Sequence, residues 1–183
     1  MSSSSPFLLV PANSVRFVDY LGRLITWDTG LMVAIWAALA FLFRKFLGRL
    51  FNLSGSGLYW CLASLVGILA FTIRIWDANG TSDVFWLFDR FAWTQLTRSA
   101  ANSVLNAALF LPAGLFFVAN GKRWWIVIPS LVLLSAALET IQTFTRFGVG
   151  DPADFVANSW GAAIGAGIGV GFVHIRGLLR AKR

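Results

Sequence analysis

Residues 124–171 read WWIVIPSLVLLSAALETIQTFTRFGVGDPADFVANSWGAAIGAGIGVG. Two apolar runs lie in this stretch, and each is long enough to cross a bilayer, since a transmembrane helix needs about 20 predominantly apolar residues. Residues 148–152, a turn rich in glycine and proline, separate the two runs. The stretch therefore predicts two neighbouring membrane-spanning helices that run in opposite directions.

The rest of the chain has the same character. Hydrophobic residues make up 57% of the 183 residues and charged residues only 13%, against about 25% charged in a soluble domain. Lipid must cover apolar surface on this scale. We expect an all-α fold, a polytopic transmembrane helix bundle of about five spans. The predicted spans are residues 24–43, 57–73, 99–121, 124–147 and 155–175.

Two further segments are too polar to span. Residues 13–27 and 83–98 combine apolar or aromatic side chains with charged ones. This pattern is typical of amphipathic helices that lie in the membrane interface or re-enter it behind protein. The predicted organisation is therefore an N-terminal interfacial segment, residues 1–28, followed by a membrane domain, residues 29–183.

The basic residues predict the orientation. The formal net charge is +7, but the charges flank apolar runs, so an anionic membrane surface is a better partner for them than nucleic acid. With a cytoplasmic C-terminus, nine of the 15 basic residues fall in short cytoplasmic segments, as the positive-inside rule requires. They are Arg44, Lys45, Arg49, Lys122, Arg123, Arg176, Arg180, Lys182 and Arg183. The N-terminus is then outside.

Polar residues recur at helical spacing in the last three predicted spans. In the fourth span the steps are four, three and four residues, and in the fifth they are three and four, so each set shares one helix face. With alternating topology these faces meet in the outer half of the bilayer. The predicted binding residues are Asn106, Ser135, Glu139, Gln142, Arg146, Asp151, Asp154 and Asn158.

Several kinds of chemistry fit such a cluster. Arg146 and the asparagines could bind a phosphate or sugar headgroup. Glu139 or Asp154 could act as a general acid or base, with Arg146 holding a phosphate, so these three are the catalytic candidates. No cofactor is expected and no metal site is assigned, because no histidine accompanies the carboxylates. A divalent cation bound through carboxylate oxygens is the alternative. The cluster could also simply join three helices by hydrogen bonds.

Small residues form a second pattern on the last predicted span. Gly161, Gly165 and Gly169 recur every four residues, a spacing that lets a neighbouring helix approach closely. The neighbour could be a helix of the same chain or of a second copy, so an oligomer is an open expectation.

These motifs resemble those of the VanZ-like family of bacterial membrane proteins. The third span contains Asn106 and then Phe110-Leu-Pro112-Ala-Gly114, and the polar positions of the fourth and fifth spans continue the likeness over about residues 102–171. The resemblance implies a multi-pass protein of the bacterial plasma membrane with a role in the cell envelope. The family takes its name from a protein associated with resistance to the glycopeptide teicoplanin.

Three functions are compatible with this resemblance. The first is binding or remodelling of a lipid-linked or cell-wall headgroup at an outer-leaflet polar site, which could contribute to teicoplanin resistance. The second is an intramembrane hydrolase or transferase that acts on such a lipid through Glu139, Asp154 and Arg146. The third is a small transporter or flippase. Its polar path would have to continue through the inner halves of the spans, which are apolar.

Overall fold

Helices account for nearly all of the described chain. The structure, a computed structural model, describes residues 27–73, 100–145 and 150–182. Within these ranges no strand occurs, which confirms the all-α prediction. The helices are α1 (Trp27–Leu42), α2 (Arg44–Phe51), α3 (Gly55–Thr72), α4 (Ala100–Ala119), α5 (Trp124–Thr145) and α6 (Pro152–Ala181).

Three of these helices, α3, α5 and α6, are long and apolar enough to cross a membrane. A fourth span is obtained only if α1 and α2 count as one broken span, since they meet at a bend of 70°. Within the described residues this is fewer than the about five spans predicted. The first predicted span stops at Leu42, and α4 contributes an apolar helix over Ser103–Ala119.

The closest packing joins α4 and α6, which run parallel to each other. A Cβ placed on Gly161 would collide with the Ala107 carbonyl, and one on Gly165 would collide with the Leu111 carbonyl. From the other helix, Gly114 approaches the Ala162 carbonyl in the same way. The two backbones are thus in direct contact, as the small-residue pattern predicted.

The predicted glycine face is therefore occupied within the chain. Gly161, Gly165 and Gly169 are all buried, and α4 covers them. An oligomer through this face stays a prediction, and a second chain would have to compete with α4 for it. The buried apolar residues between α4, α5 and α6 continue this interface into the core.

Charged residues divide the bundle into two ends. One end contains the start of α4, the end of α5 and the start of α6; we call it the acidic end because Glu139, Asp151 and Asp154 lie there. The opposite end, where Asn120 packs against Gly57 and Lys122 reaches Asn52, is the basic end. Its basic residues are Arg44, Lys45, Arg49, Lys122, Arg123, Arg176, Arg180 and Lys182.

A tight turn at the basic end connects α4 to α5. Gly121 adopts the left-handed conformation with φ of 87°, which glycine enters without the steric cost of a Cβ. The N–H of Lys122 then donates to the Phe117 carbonyl at 3.0 Å. This turn fixes Lys122 at the mouth of the space between α3 and α5.

Helix α2 was not predicted. The sequence predicts that Arg44 and Lys45 end the first span. In the structure the chain bends at this point and begins a short helix that contains both basic and apolar residues. The two predicted amphipathic segments, 13–27 and 83–98, lie outside the described residues except for Trp27. Nearly all of the predicted N-terminal segment, residues 1–28, lies outside them as well.

Candidate functional site

The start of α6 organises the acidic end. Asp151 is the N-cap of this helix, and its Oδ1 accepts a hydrogen bond from the Ala153 N–H at 2.8 Å. Pro152 occupies the first helical position, where its missing N–H costs nothing and its fixed φ suits the helix. The negative charges of Asp151 and Asp154 also complement the positive end of the helix dipole.

Glu139 connects this helix start to α5. Its side chain is only 2% exposed, and its Oε2 accepts a hydrogen bond from the backbone N–H of Asp151 at 3.0 Å. The bond spans twelve residues and brings the end of α5 against the N-cap of α6. Glu139 therefore positions the start of α6 against α5, whether or not it also contacts a ligand.

A second bond ties the same two helices one turn deeper. The Nδ2 of Asn158 donates to the Ser135 Oγ at 3.0 Å. Ser135 is 0% exposed and Asn158 only 3%, so the bond is shielded from both water and lipid. The predicted faces of α5 and α6 do meet, along the line that helical spacing indicated.

Helix α4 completes the cluster. The Asn106 side chain interacts with the Asp154 carboxylate as a weak hydrogen-bond donor, and Asp154 lies near Glu139 and Asp151. Three carboxylates and the Asn106 amide thus lie near one another, and Asn158 follows Asp154 by one turn of α6. Among the described residues, no group of histidine, cysteine, aspartate or glutamate side chains is arranged to hold a metal ion.

Two buried polar atoms in this region meet no hydrogen-bond partner of ordinary length and angle among the described residues. They are the Nδ2 of Asn106, a donor that makes only a weak contact to Asp154, and the Oδ1 of Asn158, an acceptor. Native proteins leave few buried polar atoms unpaired, and each exception calls for an explanation. A hydroxyl group that reached both atoms would accept a hydrogen bond from the first and donate one to the second.

Two of the predicted residues are placed differently or not described. The Nε2 of Gln142 donates to the Thr72 carbonyl at 2.6 Å. This side chain therefore joins α5 to the end of α3. Arg146 lies outside the described residues, and its predicted pairing with the carboxylates stays a prediction.

Thr143 is a buried member of the cluster that sequence reasoning missed. It is 1% exposed, and its hydroxyl donates to the Glu139 carbonyl at 2.9 Å. The signal was available, since Thr143 lies four residues after Glu139 and so shares its helix face. Hydroxyls that bond to the preceding turn in this way are common in membrane helices because the bond satisfies them locally.

A family model described as VanZ/LLP1 matches residues 30–174, most of the chain. No curated protein and no solved structure matches the chain.

Proposed function

The chain belongs to the VanZ/LLP1 family, and from that premise we propose that its acidic end binds the headgroup of a lipid-linked or cell-wall precursor. The protein would act in the bacterial plasma membrane, and its contribution to glycopeptide resistance would follow from holding or remodelling that headgroup. The observation that carries the proposal is the pair of unpaired buried atoms, Asn106 Nδ2 and Asn158 Oδ1.

A purely structural network explains these atoms less well. Each buried polar group left unpaired costs about 1–3 kcal/mol, and a cluster that served only to join helices would gain by replacing it with an apolar side chain. Ser135 and Glu139 already supply the hydrogen bonds that join α5 to α6. The Nδ2 of Asn106 and the Oδ1 of Asn158 take no part in joining α5 to α6. A ligand hydroxyl bound between them would explain why they are retained.

The charges narrow the headgroup class. The acidic groups of this end offer no positive charge to a phosphate, whereas a neutral hydroxyl needs none. We therefore favour the hydroxyl-bearing sugar of the headgroup as the part that enters the cluster. The phosphate would be left to Arg146, the counter-ion expected from the sequence.

Orientation supports the same assignment. If the positive-inside rule holds for this chain, the basic end faces the cytoplasm and the acidic end faces the outer leaflet. Cell-wall units are assembled on the outer side, so a precursor headgroup would be presented to the cluster there. A cytoplasmic C-terminus is part of this proposal.

Binding is preferred to the two alternatives. An intramembrane hydrolase or transferase would use Glu139 as acid or base, but this carboxylate already accepts the Asp151 N–H. A transporter or flippase needs a polar path to the other side. Below the cluster, however, Phe110, Ala113, Ala162 and Ala166 are 0% exposed and fill the space between the helices.

The proposal is tested with the purified chain and two probes, a polyprenyl-pyrophosphate-linked disaccharide and the same polyprenyl pyrophosphate without sugar. We expect Asn106→Ala to weaken binding of the disaccharide lipid about tenfold, the effect of ~1.4 kcal/mol. Its melting temperature should fall only slightly, because the contact to Asp154 that the substitution removes is a weak one. The sugar-free probe should bind weakly to both proteins.

Two controls make the result specific. Asn120→Ala changes an exposed asparagine at the basic end and should bind as the wild type does. Ser135→Ala breaks the joint to Asn158 and should lower stability more than binding. Unchanged binding by Asn106→Ala, or equal binding of the two probes, would refute the proposal.

A further inference from the structure

A groove at the basic end is separate from the acidic cluster and opens on the outside of the bundle. It lies between α2, α3, α4 and α5, has a volume of about 390 Å³, and two of its lining residues, Ile126 and Ser130, are exposed and form its rim. Its walls are apolar side chains. They include Phe51, Leu65, Leu69, Phe117, Leu131 and Leu134.

The groove has the direction of a lipid chain. Along α5 its lining runs from Ile126 to Leu134, two turns or about 12 Å of helix. It therefore extends from the basic end towards the middle of the bundle, parallel to the helices that cross the bilayer. A hydrocarbon chain in the adjacent leaflet has the same direction and the same apolar surface.

One cation lies at the mouth of the groove. The Nζ of Lys122 donates to the Asn52 carbonyl at 3.0 Å, and an ammonium group has three donors, so two are left for another acceptor. The neighbouring Arg123 is stacked on the Trp125 ring at 5.6 Å. Lys122 is thus the basic group directed at the groove, and the carboxylates of the acidic end lie at the opposite end of the bundle.

The carbonyl that holds Lys122 is itself fixed. Asn52 ends α2 in a left-handed conformation with φ of 49°, and its N–H donates to the Arg49 carbonyl. The next N–H, that of Leu53, donates to the Gly48 carbonyl at 2.8 Å. This cap holds the ammonium group over the groove rather than leaving it free in the interface.

We propose that this groove binds one acyl chain of an anionic glycerophospholipid, with the lipid phosphate at Lys122. The apolar walls accommodate the chain and the ammonium group selects the negative headgroup. The lipid site is independent of the proposed headgroup site at the acidic end, from which it differs in location, charge and chemistry.

The test is a competition between phosphatidylglycerol and phosphatidylcholine with identical acyl chains. The full chain is equilibrated with mixed vesicles, extracted in mild detergent, and the retained lipid is counted by native mass spectrometry. We expect the wild type to retain phosphatidylglycerol preferentially and Lys122→Gln to reduce that preference about fivefold, the effect of one basic side chain near an anionic surface. Lys182→Gln removes an equal charge from the end of α6 and should leave the preference unchanged.

A second pair of variants tests the groove itself. Leu134→Trp places a larger side chain in the groove and should abolish retention of phosphatidylglycerol, whereas Leu133→Trp, at a neighbouring residue that is 69% exposed, should not. Ser130→Phe fills the groove from its rim and replaces Leu134→Trp if that variant fails to fold. Equal retention of both lipids by the wild type, or wild-type retention by Lys122→Gln or by the groove-filling variant, would overturn the proposal.

Discussion

The acidic and basic ends of the bundle are built on opposite principles. At the acidic end Ser135, Glu139 and Asn158 are buried, Asp151 and Asp154 are half-buried, and hydrogen bonds join α5 to α6 beside helices whose backbones touch. At the basic end the charges lie on the surface, and a groove stays open between α3 and α5. The same three helices, α4, α5 and α6, pass through both ends, so the difference arises from side chains.

This difference separates two uses of polarity in a membrane protein. Buried polar groups in hydrocarbon are costly and are retained where they bind, react or join helices. Exposed basic groups at the interface are inexpensive and set orientation and lipid preference. Substitutions that break a hydrogen bond of a buried side chain at the acidic end should therefore lower stability more than substitutions of exposed residues at the basic end.

The largest expected effect concerns the contact of α4 with α6. Gly161→Ala should lower the free energy of unfolding by about 3 kcal/mol, the upper part of the range for overpacking, because the new Cβ would meet the Ala107 backbone. Gly169→Ala, nearer the basic end, should cost less. The closest contacts of its new Cβ, the Leu115 carbonyl oxygen and the Val118 Cβ, are at 2.9 Å, whereas three backbone atoms of Ala107 lie nearer than that to a Cβ at Gly161. Reversible unfolding in mixed detergent measures both.

Gly167→Ala is the matched control on the same helix. Nothing lies within 4 Å of its added Cβ, and alanine is favoured over glycine in a helix by up to ~1 kcal/mol. It should leave stability unchanged or raise it. Equal losses at Gly161 and Gly169 would show that the packing is as tight at one end as at the other.

The next effect concerns Glu139. Glu139→Ala removes the acceptor of the Asp151 N–H and should cost about 2 kcal/mol, because a buried donor is left unpaired. Glu139→Gln keeps a carbonyl oxygen in the same place and should retain most of the stability. Thermal unfolding of the three proteins at one pH measures the difference.

Arginines of the basic end supply the comparison. Arg49→Ala and Arg180→Ala change exposed residues and should stay within about 0.5 kcal/mol of the wild type. If either costs as much as Glu139→Ala, the proposed difference between the two ends is wrong.

The sequence predicted the helices and the meeting faces because both are encoded locally. Apolar length places α3 within two residues of its predicted start and α5 at its predicted start, and spacing places Glu139 and Ser135 on the face that meets α6. The start of α6 was predicted three residues late, at Phe155. The cap formed by Asp151 extends the helix back to Pro152.

Other features depend on contacts that spacing does not encode. Gln142 shares the face of Glu139, yet it bonds to a carbonyl of α3, seventy residues away in sequence. Hydropathy ends the first span within one residue of the end of α1 at Leu42, but it does not indicate that the chain bends there and continues as α2. The unpaired atoms of Asn106 and Asn158 appear only when neighbouring helices are in place.

The smallest expected effect concerns the cap of α6. Asp151→Ala removes the acceptor of the Ala153 N–H and should cost about 1 kcal/mol, the usual value for an N-cap. Asp151→Asn keeps an acceptor, and it also removes the repulsion between Asp151 and the carboxylates of Glu139 and Asp154. It should therefore be at least as stable as the wild type in thermal unfolding.

The corresponding cap at the basic end provides the control. Ser54 precedes α3 as its N-cap residue but makes no side-chain capping hydrogen bond, so Ser54→Ala should leave the melting temperature unchanged. Comparing the two variants separates the stability that comes from the capping hydrogen bond from any effect of having a serine or aspartate at the N-cap position. If Ser54→Ala lowers the melting temperature as much as Asp151→Ala does, the capping hydrogen bond of Asp151 does not stabilise the acidic end. The same conclusion follows if Asp151→Asn lowers it as much as Asp151→Ala.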